Sequence, residues 1–242
     1  MIQPERMRGI VLPASLRLSR LTALGSDDLA LVQAAARDAR FVRARTELMR
    51  EGQEVGEPRL IVSGWAARAR LLPDGRRQLL SFVLPGDLIG LCRHAQPLAA
   101  STIIALTDLT LCAAPPTDRS PALAEAYAVS HALDEANLLS QVVRLGRLNA
   151  HERIADLLLE LHDRLDLAGL VSQGSFELPL TQELLADAVG LTPVHVNRML
   201  QQMRAQNELS WKGGRATLMN PVALARSVSR VPVRISAARP AG

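Results

Sequence analysis

Cysteine is scarce in this 242-residue chain: Cys92 and Cys112 are its two. Two thiols are too few for a disulfide framework or for the four thiolates of an iron–sulfur cluster. No run approaches the roughly 18 uncharged apolar residues of a membrane span, and the first residues lack the charged-then-apolar order of a secretory signal. A cytoplasmic protein that does not engage a membrane is expected. The signatures of common enzymes are missing too: no nucleophile elbow, no Gly-rich loop ending in Lys-Ser/Thr, no strand leading into Gly-x-Gly-x-x-Gly. His131, His151 and His162 lack metal-ligand spacing, so no metal is assigned and no catalytic residue is expected. Net charge is only +4 although the pI is about 10.0. The basic character is therefore local, as in the stretch from Leu209 to the end, which holds six Lys or Arg and no Asp or Glu.

What is present is most explicit between residues 180 and 204, LTQELLADAVGLTPVHVNRMLQQMR. Thr181 is placed to cap a helix whose apolar face is Leu184, Leu185, Ala188 and Val189. Gly190 stands where the chain must take a positive φ to reverse. Thr192 caps a second helix, Pro193 takes the first helical position where its missing N–H costs nothing, and Val196, Met199, Leu200 and Met203 repeat at three and four. His195, Asn197, Arg198, Gln201, Gln202 and Arg204 then share the outward face, which carries no carboxylate. That is the chemistry of a helix lying in a DNA major groove. Arg198 suits guanine O6 and N7, Asn197 or Gln201 suits adenine, and Val194 suits a thymine methyl, while Thr192 and His195 lie near phosphates. Thr181 and Gln182 open the preceding helix beside the same backbone. In a plainer reading the pair is a helical hairpin with a solvated polar face, or a face that docks a protein.

The flanks favour DNA. Two β-like runs, 208–212 and 215–219, are joined by Gly213-Gly214, a two-residue hairpin signal, with Lys212 and Arg215 bracketing its tip. This is a wing whose cations would meet a neighbouring phosphate strand. With 48% hydrophobic residues, the chain is long enough for one large core and a smaller module. A helix is expected from Ser26 to about Ala39, then strands near 40–46, 59–72, 76–84, 101–106 and 109–114. Ser63-Gly64, Pro73-Asp74-Gly75, Pro85-Gly86-Asp87 and Thr107-Asp108 supply the turns, and Thr102, Ile104 and Leu106 fall on one face. Residues 119–148 form a long helix with two possible apolar registers, Ala126-Val129-Leu133-Ala136-Ser140-Val143 or Leu138-Val142-Leu145-Leu148. Either is a two-fold seam between subunits, unless the helix packs only on its own β domain. Residues 150–168 continue as a helix burying Ile154, Leu157, Leu158, Leu161 and Leu165.

This order of parts resembles the Crp/Fnr family of bacterial transcription regulators over roughly residues 20–221. The most specific pieces are GWAARARLLPDGRRQLLSFVLPGDLIGL and LPLTQELLADAVGLTPVHVNRMLQQMR. The resemblance implies an α+β chain with a β jelly-roll, cyclic-nucleotide-binding-like effector domain at 20–118 and a dimerisation helix at 119–149. A winged helix-turn-helix at 150–221 and a flexible basic tail at 222–242 complete it. It also implies a homodimer that binds a pseudo-palindromic promoter site and contacts RNA polymerase. Members that bind cyclic AMP hold the ribose with a Glu and the phosphate with an Arg near the Pro-Gly-Asp turn. From Gly86 to Ala105 this chain has no Glu, and its only cation there is Arg93. Cyclic AMP is therefore not the expected effector. Oxygen-sensing members use an amino-terminal cysteine cluster, and the first 91 residues here contain no cysteine. Haem-binding members use a Cys-x-His near this turn, which Cys92 and His94 match, against the reading of Cys92 as a buried filler and His94 as a loop residue. Many members place Arg and Glu where this chain has Pro193 and Val194, so a different half-site is implied.

Overall fold

A computed structural model of the chain describes residues 12–92 and 96–233. His94 lies outside the described residues, as does 234–242 of the basic tail. Two helices come first, α1 (Pro13–Leu21) and α2 (Ser26–Arg37). The helix expected after Ser26 is present, but its cap is Gly25, whose N–H donates to Asp28 Oδ2 at 2.9 Å. α1 had no counterpart in the sequence reading. Its Leu18 is buried against the β domain and its Arg17 enters an ion cluster, so the N-terminal body begins by Pro13 rather than at residue 20.

Eight strands follow: β1 (Arg40–Val42), β2 (Glu47–Met49), β3 (Arg59–Ser63), β4 (Ala66–Leu71), β5 (Arg77–Val83), β6 (Leu88–Ile89), β7 (Thr102–Ala105) and β8 (Leu109–Ala113). They pair antiparallel in two four-stranded sheets, ordered β1-β8-β3-β6 and β2-β7-β4-β5, the double-sheet architecture expected. The expected run 59–72 breaks at Ser63-Gly64 into β3 and β4. β2 and β6, of three and two residues, are too short to display a period of two and went unread. Ile61, Val83, Ile89, Ile103, Leu109 and Leu111 fill the space between the sheets. Ile103 and Ala105 point inward, which leaves Thr102 and Ile104 together on the outer face. The outer side of the first sheet is covered by α1 and α2, with Leu18, Val32, Leu60 and Val62 in contact. The outer side of the second, through Trp65, Leu79, Phe82 and Leu84, runs without interruption into the core of the C-terminal module.

That module follows α3 (Pro121–Arg147). It comprises α4 (Ala150–Leu167), β9 (Ser175–Glu177), α5 (Gln182–Val189), α6 (Pro193–Ala205), β10 (Leu209–Lys212), β11 (Arg215–Leu218) and α7 (Pro221–Ser227). α3 begins on Ser120, whose Oγ accepts from Leu123 N–H at 3.1 Å, and α4 begins on a capping box between Asn149 and Glu152. The five apolar residues expected to be buried on α4 are buried. α3 is different. Its inner face holds Leu123, Ala126, Tyr127, Ser130, Asn137, Gln141 and Arg144, so neither apolar register describes what is buried. The apolar stripe left outside mixes both: Val143 from one, Leu138 and Val142 from the other, and Leu139 from neither. The reason lies on α4, whose Asp156 and Glu160 draw Arg144 inward, with Nε at 2.8 Å from Asp156 Oδ2 and Nη2 at 2.6 Å from Glu160 Oε2.

A second buried ion cluster ties the N-terminal body to α4. Asp87, in the Pro-Gly-Asp turn, takes Leu84 N–H and Arg164 Nη2 on Oδ2, both at 2.7 Å. Arg17 Nη2 lies 2.9 Å from Oδ1, a charge pairing outside hydrogen-bonding geometry. The tail also needs correction. Residues 222–233 are not a loose extension: α7 continues the module past 221, and Arg230 reaches back to Asp156 Oδ1 at 2.8 Å and Asp163 Oδ2 at 3.0 Å.

Candidate nucleic-acid interface

The reader is built by local rules. Thr181 Oγ1 accepts from Leu184 N–H at 3.2 Å to start α5, and Gly190 ends it in the left-handed region with φ of 65°. Thr192 Oγ1 accepts from His195 N–H at 3.3 Å, and Pro193 takes the first position of α6. Val196, Met199, Leu200 and Met203 are buried against α4 and α5, which fixes the rotation of α6. Asn197, Arg198, Gln201 and Gln202 are therefore exposed together, with Val194 81% exposed at the start of the helix and Thr181 and Thr192 exposed at the two caps. Gln182 and His195 are half-buried. Arg198 Nη2 lies 3.1 Å from His195 Nε2. A guanidinium only donates, so this contact requires the imidazole proton on Nδ1. Arg204 leaves the face: its Nη2 donates to Trp211 O at 3.4 Å and supports the wing instead.

β10 and β11 form that wing, turning through Gly213 and Gly214 at φ of 57° and 72°, the conformation a type I′ hairpin requires. β9, unread in the sequence, adds a third strand by pairing with β11, Ala216 facing Phe176. This strand anchors one of the two tip cations. Lys212 is exposed and its ammonium has no hydrogen-bond or ion-pair partner among the described residues, whereas Arg215 Nε donates to Ser175 Oγ on β9 at 3.0 Å.

The double-sheet domain contains a cavity of about 300 Å³ between the second sheet and α3. Met49, Leu88 and Leu98 give it apolar walls, and Arg68 and Asp134 face it from β4 and α3. Cys92 lies at its edge and is exposed, so the filler role does not hold. Burial, then the neighbouring Asp87, pushes the Asp134 carboxyl above the usual range, and Arg164, Arg68 and Arg17 only partly offset this. A carboxyl raised by folding costs stability once pH passes the ordinary carboxylate range, because the charged form is then better solvated in the unfolded chain. Asp134→Asn is expected to raise the melting temperature at pH 7 by about 2 °C or more and to have no stabilising effect near pH 3. Thermal unfolding at the two pH values checks it.

Two family models match the chain: a cyclic nucleotide-binding domain over residues 39–124 and a Crp-like helix-turn-helix domain over 152–227. The chain is similar to the transcriptional activator protein FnrL of Cereibacter sphaeroides, 30% identical over 173 residues, 67% of this chain and 68% of that one. This chain is a member of the Crp/Fnr family. Its kinship extends to the nitrogen fixation regulation protein FixK of Bradyrhizobium diazoefficiens, 30% identical over 167 residues, 66% of this chain and 69% of that one. The structure of FixK2 from Bradyrhizobium japonicum superposes with a TM-score of 0.67 at 27% identity, over 78% of this chain and 96% of that one. Like these relatives, this Crp/Fnr protein is a transcriptional regulator and not an enzyme. No helix among its described residues is long and apolar enough to cross a membrane.

Proposed function

We propose that this Crp/Fnr regulator binds a pseudo-palindromic promoter site as a homodimer, laying α6 in the major groove and the wing against the adjacent backbone. The observation that carries this is the exposed, carboxylate-free face of α6, on which Asn197, Arg198 and Gln201 stand together above a packed apolar underside. Thr181, Gln182, Thr192 and His195 serve phosphates, Val194 a thymine methyl, and Lys212 and Arg215 the flanking strand. The second copy covers the outer stripe of α3, where Leu139, Val142 and Val143 are 63%, 69% and 54% exposed at helical spacing in a single chain. RNA polymerase is the further partner and the cytoplasm the place of action that family membership supports.

The effector is not a cyclic nucleotide in this reading. From Gly86 to Ala105 the chain offers no Glu to hold a ribose. Two cysteines exclude a four-thiolate cluster held by this chain alone. Haem on Cys92 and His94 is the alternative, and the visible absorption spectrum of the purified protein decides it.

Selection of bound duplexes from a random pool is expected to return two inverted half-sites separated by one helical turn or a multiple of it. Unpaired or non-repeating sequences would overturn the reading, as would a monomer at micromolar concentration in sedimentation. Lys212→Ala is expected to weaken every sequence alike and to flatten the dependence of log K on log salt by about one. Binding titrations between 50 and 200 mM salt measure it, taking that range as about the span over which such contacts are lost.

A further inference from the structure

The last carbonyls of a helix have no partner within it. At the C-terminal end of α5 three of them are each met by a side chain from a different element. Gln78 Nε2 on β5 donates to Asp187 O at 2.8 Å, Gln141 Nε2 on α3 donates to Ala188 O at 2.7 Å, and Arg153 Nη1 on α4 donates to Val189 O at 3.2 Å. Arg77, beside Gln78, closes the same corner with two contacts to Asp187 Oδ2, at 3.0 and 2.6 Å. The first helix of the reader is thus held by the effector sheet and the long helix at once.

The Gln141 amide has one possible orientation. Its Oε1 accepts from Arg144 Nη1, and Arg144 is itself held by Asp156 and Glu160, so the amide N–H groups must face Ala188 O. Gln141 is buried, while Leu139, Val142 and Val143 on the same two turns are exposed. One rigid helix therefore presents the subunit seam on one side and the hold on the reader on the other. From Ala188 the chain passes through Gly190 and Leu191, whose N–H returns to Ala186 O at 3.2 Å, directly into α6. No flexible loop lies between the seam and the reading helix.

The geometry points to Gln78 and Gln141 as positioning residues that set the distance between the two reading helices of the dimer, and so the spacing of half-sites the regulator accepts. This rests on the DNA reading above. The two glutamines touch no base and do not affect which letters are read. Loosening them lets α5 and α6 shift against the seam as a unit.

Selection from random duplexes with the full chain and with Gln78→Ala/Gln141→Ala tests it. The natural chain is expected to select one spacing. The variant is expected to select the same half-site letters over a spread of spacings, to lose about tenfold in affinity at the original spacing, and to keep its affinity for a lone half-site. A variant that keeps the single spacing at full affinity overturns the assignment, and so does one whose half-site letters change. A natural chain that selects no paired half-sites overturns the DNA reading itself, a distinct result. Should the double variant not fold, Arg77→Asp and Arg77→Asp/Asp187→Arg replace it. The single change is expected to spread the spacing and the exchanged pair to restore it, and failure to restore overturns the assignment.

Discussion

Asp87→Ala is expected to destabilise the chain by about 3 to 5 kcal/mol, the range seen when one member of a buried ion cluster is removed. The carboxylate sits between two guanidiniums, Arg17 and Arg164, and all three side chains are at least nine-tenths out of solvent. Removing it leaves Arg17 without its carboxylate and Arg164 with Glu160 alone, and strips Leu84 N–H of its acceptor. The loss would be felt well beyond the turn. Arg17 comes from α1, Arg164 from α4, and Arg17 also donates to Gly86 O at 2.8 Å and Ser130 Oγ at 3.1 Å on α3. Burial alone would push the Asp87 carboxyl up, but Arg17, Arg164 and the Leu84 N–H together hold it below the usual carboxylate range. Its contribution is therefore complete above the ordinary carboxylate pKa of about 3.9 and is lost as pH falls through the depressed folded value. Urea unfolding at pH 7 and again near pH 3 should show a large difference between the natural chain and the variant that shrinks in acid. A difference under about 1 kcal/mol at pH 7 would mean the cluster does not hold these elements together.

Arg198→Ala is expected to cost about 1 to 3 kcal/mol of specific DNA binding and to relax discrimination at one base pair of each half-site. Arg198 is the one Arg or Lys on the exposed face of α6 that the protein does not occupy with its own backbone, since Arg204 is turned to Trp211 O. Its contact with the half-buried His195 Nε2 is a single bond at the surface, readily exchanged for a two-pronged contact with guanine. Binding to unrelated DNA should fall far less, because there the residue counts as one charge among several. A specific footprint that survives the substitution unchanged would show that α6 is read some other way.

The reader was legible because its rules are local. Two threonine caps, a left-handed Gly190, Pro193 at a helix start and an apolar repeat of three and four each act within a few residues, and each is realised in place. The wing hairpin was legible for the same reason. The third strand β9 was not, since three residues carry no period and acquire meaning only by pairing with β11. It also anchors Arg215, an exposed tip cation whose Nε donates to Ser175 Oγ.

The long helix shows the limit of pattern reading most clearly. An apolar stripe is ordinarily the buried one, whether on the chain's own domain or in a seam between subunits, and the two registers of α3 left that choice open. The buried face instead carries Asn137, Gln141 and Arg144, and much of the apolar stripe is outside. A residue's charge does not announce its partner. Arg144 is stable inside because Asp156 and Glu160 arrive from α4, and Gln141 because α5 ends where its amide can reach.

The amino-acid sequence by itself determined the longer strands and their turns and the two-helix reader with its wing, since caps, turns and apolar periods are properties of neighbouring residues; the jelly roll came from resemblance to a family of regulators. Tertiary structure alone decided which charges are buried, how Arg17, Asp87 and Arg164 join three distant segments, and how α5 is held against the long helix. Those depend on groups far apart in the chain, whose desolvation is tolerated only where folding brings opposite charges and orphan carbonyls within hydrogen-bonding reach.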